Sequence, residues 1–278
     1  VATVRWRLDV AYDGGAFHGV APQAAQRTVV GSLAEILART LRLGEPPTIV
    51  VAGRTDAGVH AVGQVMHVDL PEEALSVDRV TAVRRSLNHQ LSGDVVVWAM
   101  TPMSTHFDAR RSAQWRAYRY LVAVSDEPAL GPSRRVAWTV SGSLSVDCMN
   151  EVAAMLVGEH EFGSFCKRPA DKESGHPMRR RVLSAQWSAV DDPAKALLGA
   201  GQLWRFDIVA TSFCHQMVRS LVAALVAVGQ HRLSPQEFSE RLAVPNRTGL
   251  PSPAPAAGLS LMAVGYPELA GGPSGSVS

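Results

Sequence analysis

V-A-G-R-T-D-A-G-V-H, residues 51–60, runs from a β-branched approach into Gly53, places one acid at position 56, and closes on Gly58. The residues just upstream, Thr48 to Ala52, read as a strand that feeds this loop, and Gln64 to Leu70 reads as the next strand. Asp56 then has two readings. As a turn residue it accepts from the backbone two residues on, with Gly58 supplying a positive φ. As a working acid it is held rigidly at the end of an apolar strand, where a cleft can form, with Arg54 two positions before it.

Working outward, residues 4–12 alternate apolar and polar and read as a half-buried strand ended by Asp13-Gly14-Gly15. Thr28 to Leu43 carries apolar residues at helical spacing, with Thr28 as N-cap and Gly44 as stop. Ser76–Leu91 predicts a second helix and Val95–Met100 another strand. Alternation returns over Ala113–Val124, followed by a connector with Pro128, Gly131 and Pro132. Ser145–Val157 predicts a helix capped by Ser145 and stopped by Gly158, and 167–178 a polar loop. Strands at 181–190 and 203–211, helices at 214–229 and 235–242, and a strand at 259–266 complete the chain. W-R-L-D-V at 6–10 echoes W-R-F-D-I at 204–208. The expected fold is α+β: two α/β halves, each a mainly antiparallel sheet with helices on one face. The expected division is 1–105, carrying the aspartate loop, and 106–267, with a disordered tail at 268–278.

A chain of 278 residues with 46% hydrophobic content has ample material for a core. Cys148, Cys166 and Cys214 form no C-x-x-C pair, and they read as reduced thiols in a cytosolic protein. No export segment and no apolar run near membrane-spanning length is evident. Net charge is +2, but only Lys167, Lys172 and Lys195 are lysines. The arginines cluster at 84–85, 110–111, 134–135 and 179–181. Codon bias explains this as well as a phosphate-gripping surface does. Several chemistries are excluded. Gly53 and Gly58 have phosphate-loop spacing, but Val59-His60 stands where Lys-Ser/Thr is required. No G-x-G-x-x-G follows a strand, no G-x-S-x-G elbow exists, and no H-E-x-x-H pair offers a metal site. Acid chemistry without a cofactor remains, or simple binding.

Two distant residues bear on Asp56. The helix after Arg219 is apolar on every face from Leu221 to Val228, so it is buried and Arg219 is partly buried with it. A buried arginine calls for a carboxylate partner. That partner is an acid such as Asp9 or Asp207, or it is Asp56, which the pairing would keep ionised and oriented as a nucleophile requires. Tyr118 lies in an alternating strand. It is either core packing or an aromatic plate for a base removed from its stack.

G-R-T-D-A-G-V-H-A at 53–61 resembles the signature of the TruA-type tRNA pseudouridine synthases. Y-D-G-x-x-F-x-G at 12–19, F-D-A-R at 107–110, Y-R-Y at 118–120, G-E-H-E-F-x-S-F at 158–165, M-V-R at 217–219 and A-P-x-x-G-L-x-L at 254–261 resemble further motifs of that family, in order. The resemblance spans residues 4 to about 267. It implies two α/β halves meeting at a basic cleft, and a homodimer acting on tRNA without metal or organic cofactor. It also implies conversion of uridine to pseudouridine at positions 38, 39 and 40 of the anticodon stem-loop, in the cytoplasm. By the same resemblance Asp56 is the nucleophile, Arg219 its salt-bridge partner, Tyr118 the residue packed on the target base, and Arg54 the residue that evicts the uridine. Arg110 and the 179–181 run are candidate phosphate contacts.

The sequence departs from the family pattern in two places. Gly19-Val20-Ala21-Pro22-Gln23 replaces the usual G-W-Q-x-Q, and Phe213-Cys214-His215-Gln216 precedes Met217 where His-His is more usual. Two rival readings are a non-catalytic RNA-binding module on the same fold and a metabolic acid/base enzyme that uses Asp56 on a small molecule. Binding alone does not require Asp56, Tyr118 and Arg219 as a set, and the arginine clusters disfavour a small-molecule substrate.

Overall fold

The computed structural model describes residues 2–127, 131, 133–167, 177–191 and 201–267. The polar loop expected at 167–178, most of the proline-bearing connector at 128–132 and the tail at 268–278 fall largely or wholly outside them.

Among the described residues ten strands form one mixed, mainly antiparallel sheet. They are β1 (Thr3–Tyr12), β2 (Ile49–Val51), β3 (His60–Pro71), β4 (Val95–Met103), β5 (Trp115–Val124), β6 (Trp138–Val140), β7 (Gly158–Glu161), β8 (Arg179–Ala189), β9 (Gln202–Ala210) and β10 (Leu259–Gly265). The order is β4-β1-β3-β10-β5-β9-β8-β7, with β2 on β3 and β6 on β5. Instead of two separate sheets, a single sheet runs through. Its junction is a short parallel pairing of β10 with β3, Ser260 opposite His60 and Leu261 opposite Ala61. The two echoing segments are β1 and β9, and each is flanked by antiparallel partners on both sides.

The helices follow their apolar stripes. Val29–Leu41 buries Val29, Val30, Leu33, Leu37 and Leu41, and the Thr28 hydroxyl accepts from Gly31 N–H as its cap. It ends two residues earlier than expected: Arg42, not Gly44, turns left-handed at φ 56°. A single arginine in that region costs about 1–2 kcal/mol, offset here by its N–H bonding the last turn of the helix. The second expected helix is a 3-10 turn at Val77–Arg79 running into Val80–Gln90. The third is Val146–Ala154, and Gly158, at φ 114°, opens β7 rather than stopping the helix. Met217–Gly229 is buried along its length, as its all-round apolarity requires. Pro235–Ala243 starts with a full capping box between Ser234 and Glu237. No helix among the described residues is long and apolar enough to cross a membrane.

The reading of the cysteines as three free thiols is corrected. Cys166 and Cys214 are joined as a disulfide, with Cα atoms 5.7 Å apart, and only Cys148 is free. Cys166 follows the buried Phe162–Phe165 turn, and Cys214 lies three positions before Met217, the first residue of the Met217–Gly229 helix. Packing of the turn against that segment brings together two residues 48 positions apart, and no local spacing announces such a contact.

Candidate active site

The aspartate loop leaves β2 and returns as β3, and its backbone is fixed from below. Ala52 N–H bonds Val65 carbonyl at 2.8 Å, Val20 N–H bonds Thr55 carbonyl at 3.2 Å, and Val59 N–H bonds Asp56 carbonyl at 3.2 Å. Beneath Thr55 lies a buried polar group. The Tyr12 and Thr55 hydroxyls meet at 2.7 Å, and Gln64 Nε2 donates to Gly53 carbonyl at 2.9 Å and to the Tyr12 hydroxyl at 3.3 Å. Burial pushes the Tyr12 phenol up to about 12, so it is a neutral hydrogen-bonding strut at all ordinary pH.

The opening turn of the chain clasps the loop from the side. A Cβ on Gly14 would overlap the Val59 carbonyl, and Gly14 N–H donates to His60 Nδ1 at 3.1 Å. Gly14→Ala is therefore expected to push the aspartate loop away and to destabilise the fold by about 1–3 kcal/mol. Chemical denaturation measures this directly. A wild-type midpoint would show that the loop yields freely.

The far end of the fold supplies the partner of Asp56. Arg219, in the first turn of the Met217–Gly229 helix, donates from Nη1 to Asp56 Oδ2 at 3.1 Å and from Nε to Ala254 carbonyl at 2.7 Å. Ala254 N–H in turn bonds Arg219 carbonyl at 3.0 Å. The Arg219 side chain is 16% exposed and that of Asp56 26%, so the pair sits at the rim of the core rather than in open water. The alternative partners are engaged elsewhere: Asp9 with Arg7 at 2.6 Å, and Asp207 with Arg119 at 2.7 Å and Arg205 at 3.0 Å. The second Asp56 oxygen, Oδ1, lies 3.4 Å from His215 Nε2.

Tyr118 projects from β5 and is buried, its ring edge-on to Phe213 at 5.0 Å. A Cβ on Gly53 would come within 3.8 Å of its hydroxyl, so the tyrosine lies beside the aspartate loop. Burial, then the neighbouring Tyr12, raise the Tyr118 phenol well above its ordinary range; Arg116 lowers it less, and the Asp56 charge adds the smallest upward push. It is a neutral O–H near a carboxylate.

Arg54 and Arg110 are both exposed. Arg110 contributes its backbone to the scaffold: its N–H bonds Asp108 Oδ1 at 2.9 Å and its carbonyl accepts from Arg116 at 2.9 Å. Of the 179–181 run, Arg179 lies 3.9 Å from Glu159 across the β7–β8 ladder, and Arg181 carbonyl takes Thr211 N–H at 3.0 Å. The structure thus brings Asp56, Arg219 and Tyr118 together. It leaves Arg54 and Arg110 facing solvent.

Arg116 and His215 did not stand out in the sequence. Arg116 is buried on β5 and donates to four carbonyls: Ala52 and Arg110 at 2.9 Å, Thr211 at 2.9 Å and Ala113 at 3.1 Å. It ties the base of the aspartate loop to β9 and to the 107–110 turn. Burial lowers its pKa, but the group remains cationic. The one available signal was a charged residue at an inward position of an alternating strand.

The sequence is also similar to known proteins. A family model described as tRNA pseudouridine synthase matches residues 152–267. Curated relatives named tRNA pseudouridine synthase A align over nearly the whole chain. The protein of Cutibacterium acnes is 42% identical over 95% of this chain and 89% of its own length. That of Leifsonia xyli is 41% identical over 95% and 92%, and that of Streptomyces griseus 40% identical over 95% and 88%. Similarity at this level over both chains, with the Asp56–Arg219 pair assembled in the fold, places the chain in the tRNA pseudouridine synthase A family.

Proposed function

We propose that the protein isomerises uridine to pseudouridine in the anticodon stem-loop of tRNA, at positions 38, 39 and 40, with Asp56 as the nucleophile acting on a flipped base. The observation that carries this reading is the ion pair between Asp56 and Arg219 across 163 residues of sequence. It orients one carboxylate at the end of the β2 strand. Membership of the family supplies the substrate class and the reaction.

The chemistry suits a single acid. The N1–C1′ bond of uridine breaks, the uracil rotates, a C5–C1′ bond forms, the C5 proton leaves, and N1 takes up a proton. Atoms balance without oxidant, reductant or donor, so no cofactor is required. Glycoside hydrolysis generally needs two carboxyl groups, one of them to protonate the leaving group. Uracil leaves as a delocalised anion, so one carboxylate suffices. Asp56 serves equally by attacking C1′, by adding to C6 or by taking a sugar proton to give a glycal. Tyr118 packs against the flipped base, and its hydroxyl relays the C5 proton only by passing its own proton on to a solvent base. Water must be excluded, since its entry would leave an abasic site.

Base flipping costs a few kcal/mol that phosphate contacts offset. Arg54 is assigned the gap left by the uridine, and Arg110 and Arg179–Arg181 the backbone phosphates. The reading includes a cytoplasmic homodimer in which one tRNA touches both protomers. It also includes a division of the chain at the β3–β10 junction into 1–105 and 106–267. Family resemblance supports the dimer, and the short two-residue junction supports the division.

The direct test is nucleoside analysis of unmodified tRNA transcripts after incubation with the protein, where pseudouridine is expected only at 38–40. Absence of conversion across several transcripts that bind tightly would favour the RNA-binding module. For the phosphate contacts, Arg110→Ala and Arg179→Ala are each expected to lower the slope of log K against log salt by about 1. Filter-binding titrations from low to moderate salt measure it. An unchanged slope removes that residue from the phosphate contacts.

A further inference from the structure

Arg219 engages only one of the two carboxylate oxygens of Asp56. The other, Oδ1, faces the imidazole of His215, with Nε2 at 3.4 Å. That separation is long for a finished hydrogen bond. It is typical of groups that tighten once substrate covers them.

The backbone around His215 is unusually well fixed for a side chain that is 48% exposed. Its carbonyl accepts from Lys167 N–H at 2.9 Å, and the residue before it is crosslinked to Cys166. The residue after it, Gln216, is left-handed at φ 63°, ψ 5°. A non-glycine residue there costs about 1–2 kcal/mol, and such outliers gather where a site demands a particular chain path. This turn lets His215 and Arg219 approach one carboxylate from two sides. Gln216 carbonyl then accepts from Ser220 N–H at 2.9 Å and starts the helix that carries Arg219. Two residues before His215, Phe213 lies edge-on to Tyr118. A half-exposed imidazole contributes little to core packing, so packing does not account for this construction.

The geometry points to His215 as a positioning residue for the isomerisation: its Nε2–H holds Asp56 Oδ1 while Arg219 holds Oδ2. The terminal torsion of a free aspartate is broad. With a donor on each oxygen the carboxylate plane is fixed, and the attacking lone pair keeps its aim at the sugar or the base. The inference rests on the reading of Asp56 as the nucleophile. It gives a role to His215, which stands at the first position of the His-His pair usual before Met217, while Gln216 replaces the second.

The test is a set of single-turnover rates at saturating tRNA, with tRNA dissociation constants, for wild type, His215→Leu, His215→Gln and Asp56→Asn. His215→Leu is expected to lower the rate constant about 10–100-fold, the range for a misaimed reacting group, with tRNA affinity nearly unchanged. His215→Gln, whose amide N–H still reaches Oδ1, is expected to recover most of the rate. His215→Ala replaces the leucine variant if melting curves show that leucine disturbs the fold. A wild-type rate in the leucine variant overturns the inference. So does an equal loss in both substitutions, or a loss confined to affinity, which would make His215 an RNA contact instead. An active Asp56→Asn would overturn the parent reading. An inactive Asp56→Asn beside an unaffected His215→Leu would overturn this inference alone.

Discussion

Arg219→Lys is expected to give a folded protein that isomerises tRNA about 10²–10³-fold more slowly, while Arg219→Met loses stability as well. The guanidinium makes two bonds in different directions, Nε to Ala254 carbonyl at 2.7 Å and Nη1 to Asp56 Oδ2 at 3.1 Å. A lysine brings the same charge but not the planar fork, so it cannot hold both groups in that geometry. A reacting group misplaced by about 1 Å costs about 10²-fold, which sets the lower end of the range. Arg219→Met removes the cation and leaves Asp56 Oδ2 and the Ala254 carbonyl without the guanidinium that donates to them. Breaking a fully buried pair costs about 3–5 kcal/mol. With Asp56 26% exposed, about 2–3 kcal/mol is expected after allowing for solvent. Urea titration measures the stability and single-turnover assay the rate. A lysine variant at wild-type rate would show that charge alone suffices and that the fork is incidental.

Asp56→Asn is expected to abolish turnover, by about 10⁴-fold or more, equivalent to about 5.4 kcal/mol of barrier. The substitution is nearly isosteric and still accepts a hydrogen bond from Arg219. Its expected effect on stability is small, about 1–2 kcal/mol for a lost charge-assisted bond. Affinity for tRNA is expected to persist, because phosphate contacts dominate it. Electrophoretic mobility shift beside the activity assay separates the two effects. Residual turnover within tenfold of wild type would remove Asp56 from the chemistry.

The features that were legible in the sequence are those with a local physical signature. A helix apolar on all faces with one cation in its first turn implied a buried arginine seeking a carboxylate, and Arg219 meets Asp56. Alternation marked β1, β5 and β9, and the strand–glycine–strand pattern marked the loop. Other features depend on tertiary proximity that no spacing encodes. Cys166 and Cys214 meet only because the Phe162–Phe165 turn packs near the start of the long helix. His215 reaches Asp56 beside a left-handed Gln216, and a glutamine does not advertise that conformation. Arg116 finds its partners among backbone carbonyls, which carry no sequence identity. The short strands β6 and β7, three and four residues long, are too brief to show a period. The continuity of the sheet hangs on the β3–β10 contact, made by residues about 200 positions apart, and local patterning cannot reveal such a contact.

The measurement that bears most directly on the proposed chemistry is release of tritium from a tRNA transcript labelled at uracil C5, with wild type and Asp56→Asn side by side and no metal or cofactor added. A new C5–C1′ bond must expel that hydrogen. Release by wild type at up to the three target uridines, with none by the mutant, is the expected result. Tight binding by both proteins with no release from either would contradict it.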